Sequence, residues 1–370
     1  MTTPSREDLE AAGLAEGLEG AEREARMELL EDLVAQGVGM DELRQAVRES
    51  RLVLLPVERA LSARGPRYTP LQVTEMTGVE PEMLMGMNRA LGLPEVDPQE
   101  AALDDHDVES ARILARFREA GISDDDILDM TRVIGIAMAR IAEGNREVIW
   151  RTVSGSAESE AEMARRLEHS ARILSPQIAT VLQYALNRHL REQVQRDVIA
   201  ADPPALGGAD VCVCFADIVG FTKLGERLPS EELGRVARRL GELASASARP
   251  PVRLIKLIGD AAMLVSRDAG AGIDAALSLV EAADAEGEGF PQIRAGLAWG
   301  EALGRGGDWY GQPVNLASRI TGIARPGTVL LAESVREQAG DGFVCSFAGE
   351  RRLKGLDSRV RLYRVRRQTR

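Results

Sequence analysis

Two short segments of the chain leave a carboxylate standing where little side-chain bulk surrounds it. One is Phe215-Ala216-Asp217-Ile218-Val219-Gly220-Phe221-Thr222, and the other is Lys256-Leu257-Ile258-Gly259-Asp260. Each follows an apolar run, so each acid sits at the end of an extended segment. Two carboxylates delivered to one spot by a rigid sheet would hold Mg²⁺ or Mn²⁺, hard cations that also take phosphate oxygens. Backbone amides around Gly220, Phe221 and Thr222 would face the same spot and cradle a polyphosphate. Taken singly, Asp217 and Asp260 are equally what a tight turn uses, because aspartate beside glycine is a turn former. A third segment runs Asp308-Trp309-Tyr310-Gly311-Gln312-Pro313-Val314-Asn315-Leu316-Ala317-Ser318-Arg319. Asn315 and Arg319 are four apart and project from one side of a helix. An amide beside a guanidinium suits a ribose and the charge that grows on a reacting phosphate. Alone, the pair is equally a polar stripe on a surface helix.

These residues need elements to carry them. Val211, Val213 and Phe215 alternate with their neighbours as a strand does, ending at Asp217 and Gly220. A helix is expected over 230–246 with Ser230 as its N-cap, then strands over 252–257 and 261–265 around a tight Gly259-Asp260 turn. A helix over 273–285 and a strand over 292–299 follow. Residues 300–307 read as a turn and a further strand, 311–323 as a helix and 328–331 as extended. Mixed strands and helices of this kind predict an α+β sheet with helices on one face.

Residues 1 to about 200 read differently. Apolar residues recur at helical spacing at Leu29, Leu33, Val34 and Leu43, and again at Ile113, Leu114 and Phe117. Ser123 caps a helix that opens on Asp124, Asp125 and Asp126, acids favoured in a first turn. Another helix is expected over 176–200, with Pro176 in its first turn. The run 202–208, Asp-Pro-Pro-Ala-Leu-Gly-Gly, is the clearest boundary. The expected organisation is an all-α domain over 1–175, a linker helix and boundary over 176–205, and the α+β domain over 206–370.

The 370 residues carry a net charge of −12, split unevenly: −15 over residues 1–205 and +3 over 206–370. An acidic half argues against a nucleic-acid backbone as partner. No apolar run is long enough for a membrane span, and the polar start does not read as a secretory signal. Three cysteines, with Cys212 and Cys214 two apart on a strand and Cys345 remote, form neither a disulfide framework nor a zinc spacing, so a cytoplasmic location is expected.

In order and spacing, the three polar segments resemble the catalytic motifs of the class III adenylyl cyclases. The tail from Leu353-Lys354-Gly355-Leu356 to Leu362-Tyr363 is similar to that family's C-terminal strand. The resemblance covers roughly residues 206–370 and implies a palm-type, ferredoxin-like sheet. It implies that Asp217 and Asp260, with Ile218 counted in the metal set, bind two Mg²⁺ or Mn²⁺ ions per site. It further implies that Lys256 and Asp308 read the base, that Asn315 and Arg319 act on ribose and transition state, and that Phe221, Thr222 and Lys354 contact the triphosphate. A lysine donor beside an aspartate acceptor fits adenine, which offers an acceptor at N1 and a donor at its 6-amino group; guanine reverses the pattern. The implied substrate is therefore ATP, cyclised to cyclic AMP and pyrophosphate. No histidine follows residue 200, which excludes a histidine base in that half. Family geometry also implies a homodimer in which one subunit supplies the carboxylates and its partner supplies Lys256, Asp308, Asn315 and Arg319.

More loosely, the helical half resembles the autoinhibitory region of the mycobacterial adenylyl cyclases that respond to pH. All three histidines, His106, His169 and His189, lie in it, and their protonation would be the switch. Each is equally an ordinary surface histidine. Whether this half takes a small molecule or a lipid is left open. Two other readings stand beside the enzyme: a cyclase-like nucleotide sensor without activity, and a transcription regulator. The latter rests on Tyr68-Thr69-Pro70-Leu71 to Leu93-Pro94, which looks like a MerR-type helix-turn-helix. Glu80, Pro81 and Glu82 lead into its second helix where basic residues would be needed, and Met83, Met85 and Met87 read as packing. No Gly-Gly-Asp/Glu-Glu-Phe signature of a diguanylate cyclase occurs.

Overall fold

The computed structural model describes residues 4–62, 65–154, 159–199, 208–355 and 358–368. The breaker run at 202–208 lies, except for Gly208, outside the described residues, as does Leu356. The chain divides into two compact units, Met1–Ala200 and Ala201–Arg370.

The first unit is helical. Helices α1 (Arg6–Ala11), α2 (Gly20–Ala35), α3 (Met40–Arg48) and α4 (Leu55–Leu61) are followed by α5 (Pro70–Thr77), α6 (Pro81–Leu91) and α7 (Asp105–Glu119). Two long helices, α8 (Asp124–Ser154) and α9 (Glu160–Ile199), complete it. One core gathers Leu29, Leu33, Val34 and Leu43 with Ala161 and Ala164 of α9, as the helical spacing predicts. A second collects Val73, Val79, Met83, Leu114 and Ile127. Leu114 is core, but its neighbour Ile113 faces outward. The expected Ser123 cap is present, its hydroxyl accepting from the Asp126 amide at 3.2 Å. The helix-turn-helix segment folds as α5 and α6 about a left-handed Gly78, and Val73, Val79 and Met83 spend it on packing. A cavity of about 1380 Å³ opens among α2, α4, α8 and α9, lined by Val57, Ile149, Trp150, Met163, Leu167 and Leu174 among others.

The helix expected from Pro176 begins sixteen residues earlier, at Glu160, and carries Pro176 in its interior. Proline removes one backbone donor there. Good helix formers on both sides, and the packing of the first turns against the core, carry the helix through it.

The second unit is an eight-stranded sheet. Its elements are β1 (Ala209–Ile218), α10 (Phe221–Gly225), α11 (Ser230–Ser247), β2 (Arg253–Ile258), β3 (Ala261–Ser266) and α12 (Ala269–Ala285). There follow β4 (Ile293–Arg305), β5 (Asp308–Tyr310), α13 (Gln312–Ile323), β6 (Val329–Ala332), α14 (Glu333–Gln338), β7 (Phe343–Arg352) and β8 (Arg359–Arg367). The strand order is β2-β3-β1-β4-β6-β8-β7, with β5 paired to the end of β4. The first four strands and their two long helices form the β-α-β-β-α-β unit with order 2-3-1-4, the ferredoxin-like arrangement.

The fold class is as expected, with one addition. Cys212, Cys214 and Ala216 share a core with α11, α12 and α14, while Val211, Val213 and Phe215 share another with Ala317 and Ile320 of α13. Alternate residues of a strand face opposite sides, so α13 covers the face that α11 and α12 leave open. With both faces covered, β1 is apolar throughout its middle. Two local expectations differ as well. Pro229, not Ser230, is the residue before α11, and Ser230 occupies its first turn without a side-chain cap. Residues 300–305 continue β4 unbroken, and the hairpin turn falls at Gly306-Gly307. Gly300 stays in the ladder opposite Val211, so the pairing with β1 overrides the turn tendency of glycine there.

Candidate active site

The end of β1 is where the two acids meet. Asp217 stands opposite Ala261 of β3 on one side and Arg294 of β4 on the other. The amide of Ile218 donates to the carbonyl of Asp260 at 3.1 Å, which draws the β2–β3 turn against the end of β1. Gly259 adopts a positive φ of 59° in that turn, a conformation glycine takes without strain. Val219 donates to Gln292 at 2.9 Å on the other flank. Gly220, also left-handed at φ 74°, turns the chain into α10. The first-turn amides of Phe221 and Thr222 have no acceptor within that helix, and they follow Asp217 by four and five residues.

The two carboxyls influence each other. Partial burial pushes the Asp260 carboxyl above its usual range, and the neighbouring Asp217 pushes it the same way by charge and hydrogen bond. Arg294 opposes this. Its Nε and Nη2 donate to one oxygen of Asp217 at 3.1 and 2.8 Å, and its Nη1 donates to the carbonyl of Gly322 at the end of α13, at 3.0 Å. Sequence reasoning missed Arg294. The available signal was an arginine inside an otherwise apolar strand, but only the cross-strand register tells which carboxylate it faces.

A second polar pair joins β2 to β5. The Lys256 ammonium pairs with Asp308, whose other oxygen accepts the Trp309 amide at 2.8 Å. The two side chains are 33% and 26% exposed, sheltered enough for hydrogen bonds there to discriminate. Asn315 and Arg319 lie on α13, the first exposed and the second half-buried. The Arg319 guanidinium rests against Gly355, where an added Cβ would lie 3.2 Å from Nη2, so it stands beside the exposed Lys354. The structure thus brings Asp217 to Asp260, Lys256 to Asp308, and Arg319 to the residue after Lys354. The histidines are elsewhere: His106 on α7, His169 and His189 on α9, all exposed.

Residues 207–366 match the model of the adenylate and guanylate cyclase catalytic domain, and residues 7–194 that of the adenylate cyclase regulatory domain. Over 99% of its length the chain is 39% identical to the pH-sensitive adenylate cyclase MT1302 of Mycobacterium tuberculosis, covering 95% of that protein. The chain belongs to the class III adenylate cyclases. This cyclase is also 34% identical to an adenylate cyclase of Streptomyces coelicolor, over 77% of this chain and 74% of that one. Among solved structures, the adenylyl cyclase CyaB from P. aeruginosa is 26% identical, with a TM-score of 0.40 over 44% of this chain and 95% of that one. No helix among the described residues of the cyclase is long and apolar enough to cross a membrane.

The raised Asp260 carboxyl has a measurable consequence. Without a cation, the folded chain keeps this proton at pH values where the unfolded chain, near 3.8, has lost it. Its contribution to stability is therefore present at low pH and is lost as pH rises through the raised value. Asp260→Asn removes that titration, so its urea midpoint in EDTA, relative to the parent, should climb between pH 4 and pH 7. A difference that stays flat with pH would show that Asp260 is not held up.

Proposed function

We propose that this cyclase converts ATP to 3′,5′-cyclic AMP and pyrophosphate in active sites shared between two subunits. The observation that carries the reading is the meeting of Asp217 and Asp260 at the end of β1, on the same domain as a paired Lys256 and Asp308. The donor set suits Mg²⁺ or Mn²⁺, two per site. The centre offers two carboxylates with hard oxygen donors, and no cluster of three or more metal-ligating side chains exists among the described residues. Such a site leaves coordination positions for phosphate oxygens and water, as these ions require. Asp217, Asp260 and the backbone at Ile218 would hold them. Bound there, the ions would supply neutralising charge to the triphosphate and acidify the 3′-hydroxyl.

The remaining roles belong to side chains. Lys256 donates to adenine N1, and Asp308 accepts from the 6-amino group. Asn315 holds the ribose, and Arg319 meets the charge that grows as the 3′-oxygen attacks the α-phosphorus and pyrophosphate leaves. Phe221 and Thr222 offer amides to the phosphates, and Lys354 adds a positive charge. Arg294, released from Asp217, adds another; its present partner shows it already turned toward the carboxylate pair.

Two features support the dimer. The β2–β3 hairpin between Lys256 and Asp260 exposes Leu257 and Ile258, the latter by 48%, and Tyr310 beside Asp308 is 57% exposed. Apolar surface beside polar site residues is the composition of an interface. We further assign residues 1–175 to regulation, 176–205 to the connection and 206–370 to catalysis. Control by pH through the histidines is supported by their place on α7 and α9 and by the pH-sensitive relative. Three unpaired thiols suit a reducing cytoplasm.

Incubated with Mn²⁺ or Mg²⁺, the full chain should cyclise ATP at least about tenfold better than GTP, since each mispaired buried group costs about 1–3 kcal/mol. Equal rates on the two nucleotides would remove Lys256 and Asp308 from base recognition. Arg319→Ala should lower kcat about 100- to 1000-fold, as should Asp260→Ala, yet mixing the two inactive proteins should restore activity through one intact site per heterodimer. A mixture as inactive as either parent would rule out shared sites. Glutamine at His106, His169 and His189 together should flatten the dependence of activity on pH between 5.5 and 8, roughly the range in which histidine titrates. An unchanged profile would acquit the histidines.

A further inference from the structure

The last twenty residues hold nine basic side chains and one acidic. Some of that charge is used locally. Arg361 pairs with Glu333, and Arg367 with Asp274 and Glu281. Arg351 and Arg364 have no acidic partner among the described residues, and neither does Arg325 in the loop between α13 and β6. These three arginines line one cavity of about 310 Å³, together with Thr328, Ser346 and a floor of Leu330 and Leu362.

Register explains the convergence. Arg364 stands opposite Ser346 on β7 and Leu330 on β6, so all three share a face. In an unbroken strand, Arg351 would lie on the other face from Ser346, five positions earlier. The register shift between Phe347 and Gly349 inserts one residue and brings Arg351 opposite Val360, on the face of Leu362 and Arg364. Arg325 arrives from the loop, where its carbonyl accepts both the amide and the hydroxyl of Thr328, at 3.1 and 2.7 Å. Three arginines from three segments thus line one small space, together with Thr328 and Ser346 and with no carboxylate-bearing residue in its lining. Like charges lining one space repel, and an anion of high charge relieves the arrangement. Planar guanidiniums favour the paired oxygens of a phosphoryl group.

We propose that this cavity is a binding site for a phosphoryl group, carried by free phosphate or by a small phosphate monoester. It is separate from the substrate site, because its lining contains none of Asp217, Asp260, Lys256, Asp308, Asn315, Arg319, Arg294 or Lys354.

The test is calorimetric titration of the full chain in EDTA at constant ionic strength, with inorganic phosphate in one arm and AMP in the other. Arg364→Gln and Arg351→Gln should each weaken phosphate binding at this site about tenfold, the loss expected for a charge-assisted contact. Arg366→Gln removes the same charge from an exposed β8 position outside the cavity and should leave binding unchanged. Melting temperatures of all three variants serve as the check on folding, and Arg325→Gln replaces any that unfolds. AMP binding more tightly than phosphate, with the same dependence on Arg364, identifies a monoester as the occupant; equal or weaker AMP binding identifies the free anion. The proposal fails if phosphate does not bind, if Arg364→Gln and Arg351→Gln bind it like the parent, or if Arg366→Gln weakens it equally.

Discussion

Two carboxylates held side by side repel one another, and much of the second unit is organised to hold them there. Unit charges about 4 Å apart interact by about 4 kcal/mol at an effective dielectric of 20, so a flexible loop would let such a pair separate. Here the separation is blocked by backbone bonds. Ile218 donates to Asp260, which ties the turn carrying one acid to the strand carrying the other, and Val219 donates to Gln292, which fixes the end of that strand to the start of β4. The cost is visible in the raised Asp260 carboxyl and is offset in part by Arg294. A centre of this kind has a standing demand for positive charge.

The covering of both sheet faces serves the same end. Helix α13 carries Asn315 and Arg319, and it sits unusually close to the sheet. A Cβ on Gly296 of β4 would fall 2.3 Å from the Thr321 backbone nitrogen, so the contact depends on a residue without one. The buried Thr321 hydroxyl donates to the carbonyl of Phe215 at 3.1 Å, two residues before Asp217. A close-packed contact of this sort transmits displacement instead of absorbing it. The helix bearing Asn315 and Arg319 and the strand bearing Asp217 therefore behave as one body within the second unit.

Much of this was legible in the sequence, for a definable reason. Asp217 stands at a strand end and Asp260 in a tight turn, where local spacing and small neighbours reveal them, whereas Lys256 within β2 and Asp308 at the start of β5 are singled out by the family resemblance. The alternation Val211, Val213, Phe215 and the i, i+4 spacing of Asn315 and Arg319 are likewise local. What escaped depends on residues far apart. Arg294 acquires its role from standing across the ladder from Asp217. Gly300 was expected to turn, but its pairing with Val211 keeps it extended. Pro176 was expected to begin a helix, and the packing of Ala161 and Ala164 extends that helix upstream of it. The seat of α13 on the second face needed the alternation of β1 to be recognised as apolar on both sides, with no polar face left for water.

Arg294 draws these strands of the structure together. It is rooted on β4, it grips Asp217 of β1, and it caps the last turn of α13 through the carbonyl of Gly322. A helix C-terminus carries partial negative charge, so both ends of that grip favour the guanidinium where it is. Under the proposed function, an incoming phosphate would compete for this guanidinium with a carboxylate neutralised by bound cations. Turning toward it would free Asp217 and leave the C-terminal turn of α13 without its cap. Loading of charge at the carboxylates would then be felt along the helix that presents Asn315 and Arg319, without any movement of the sheet that holds them all.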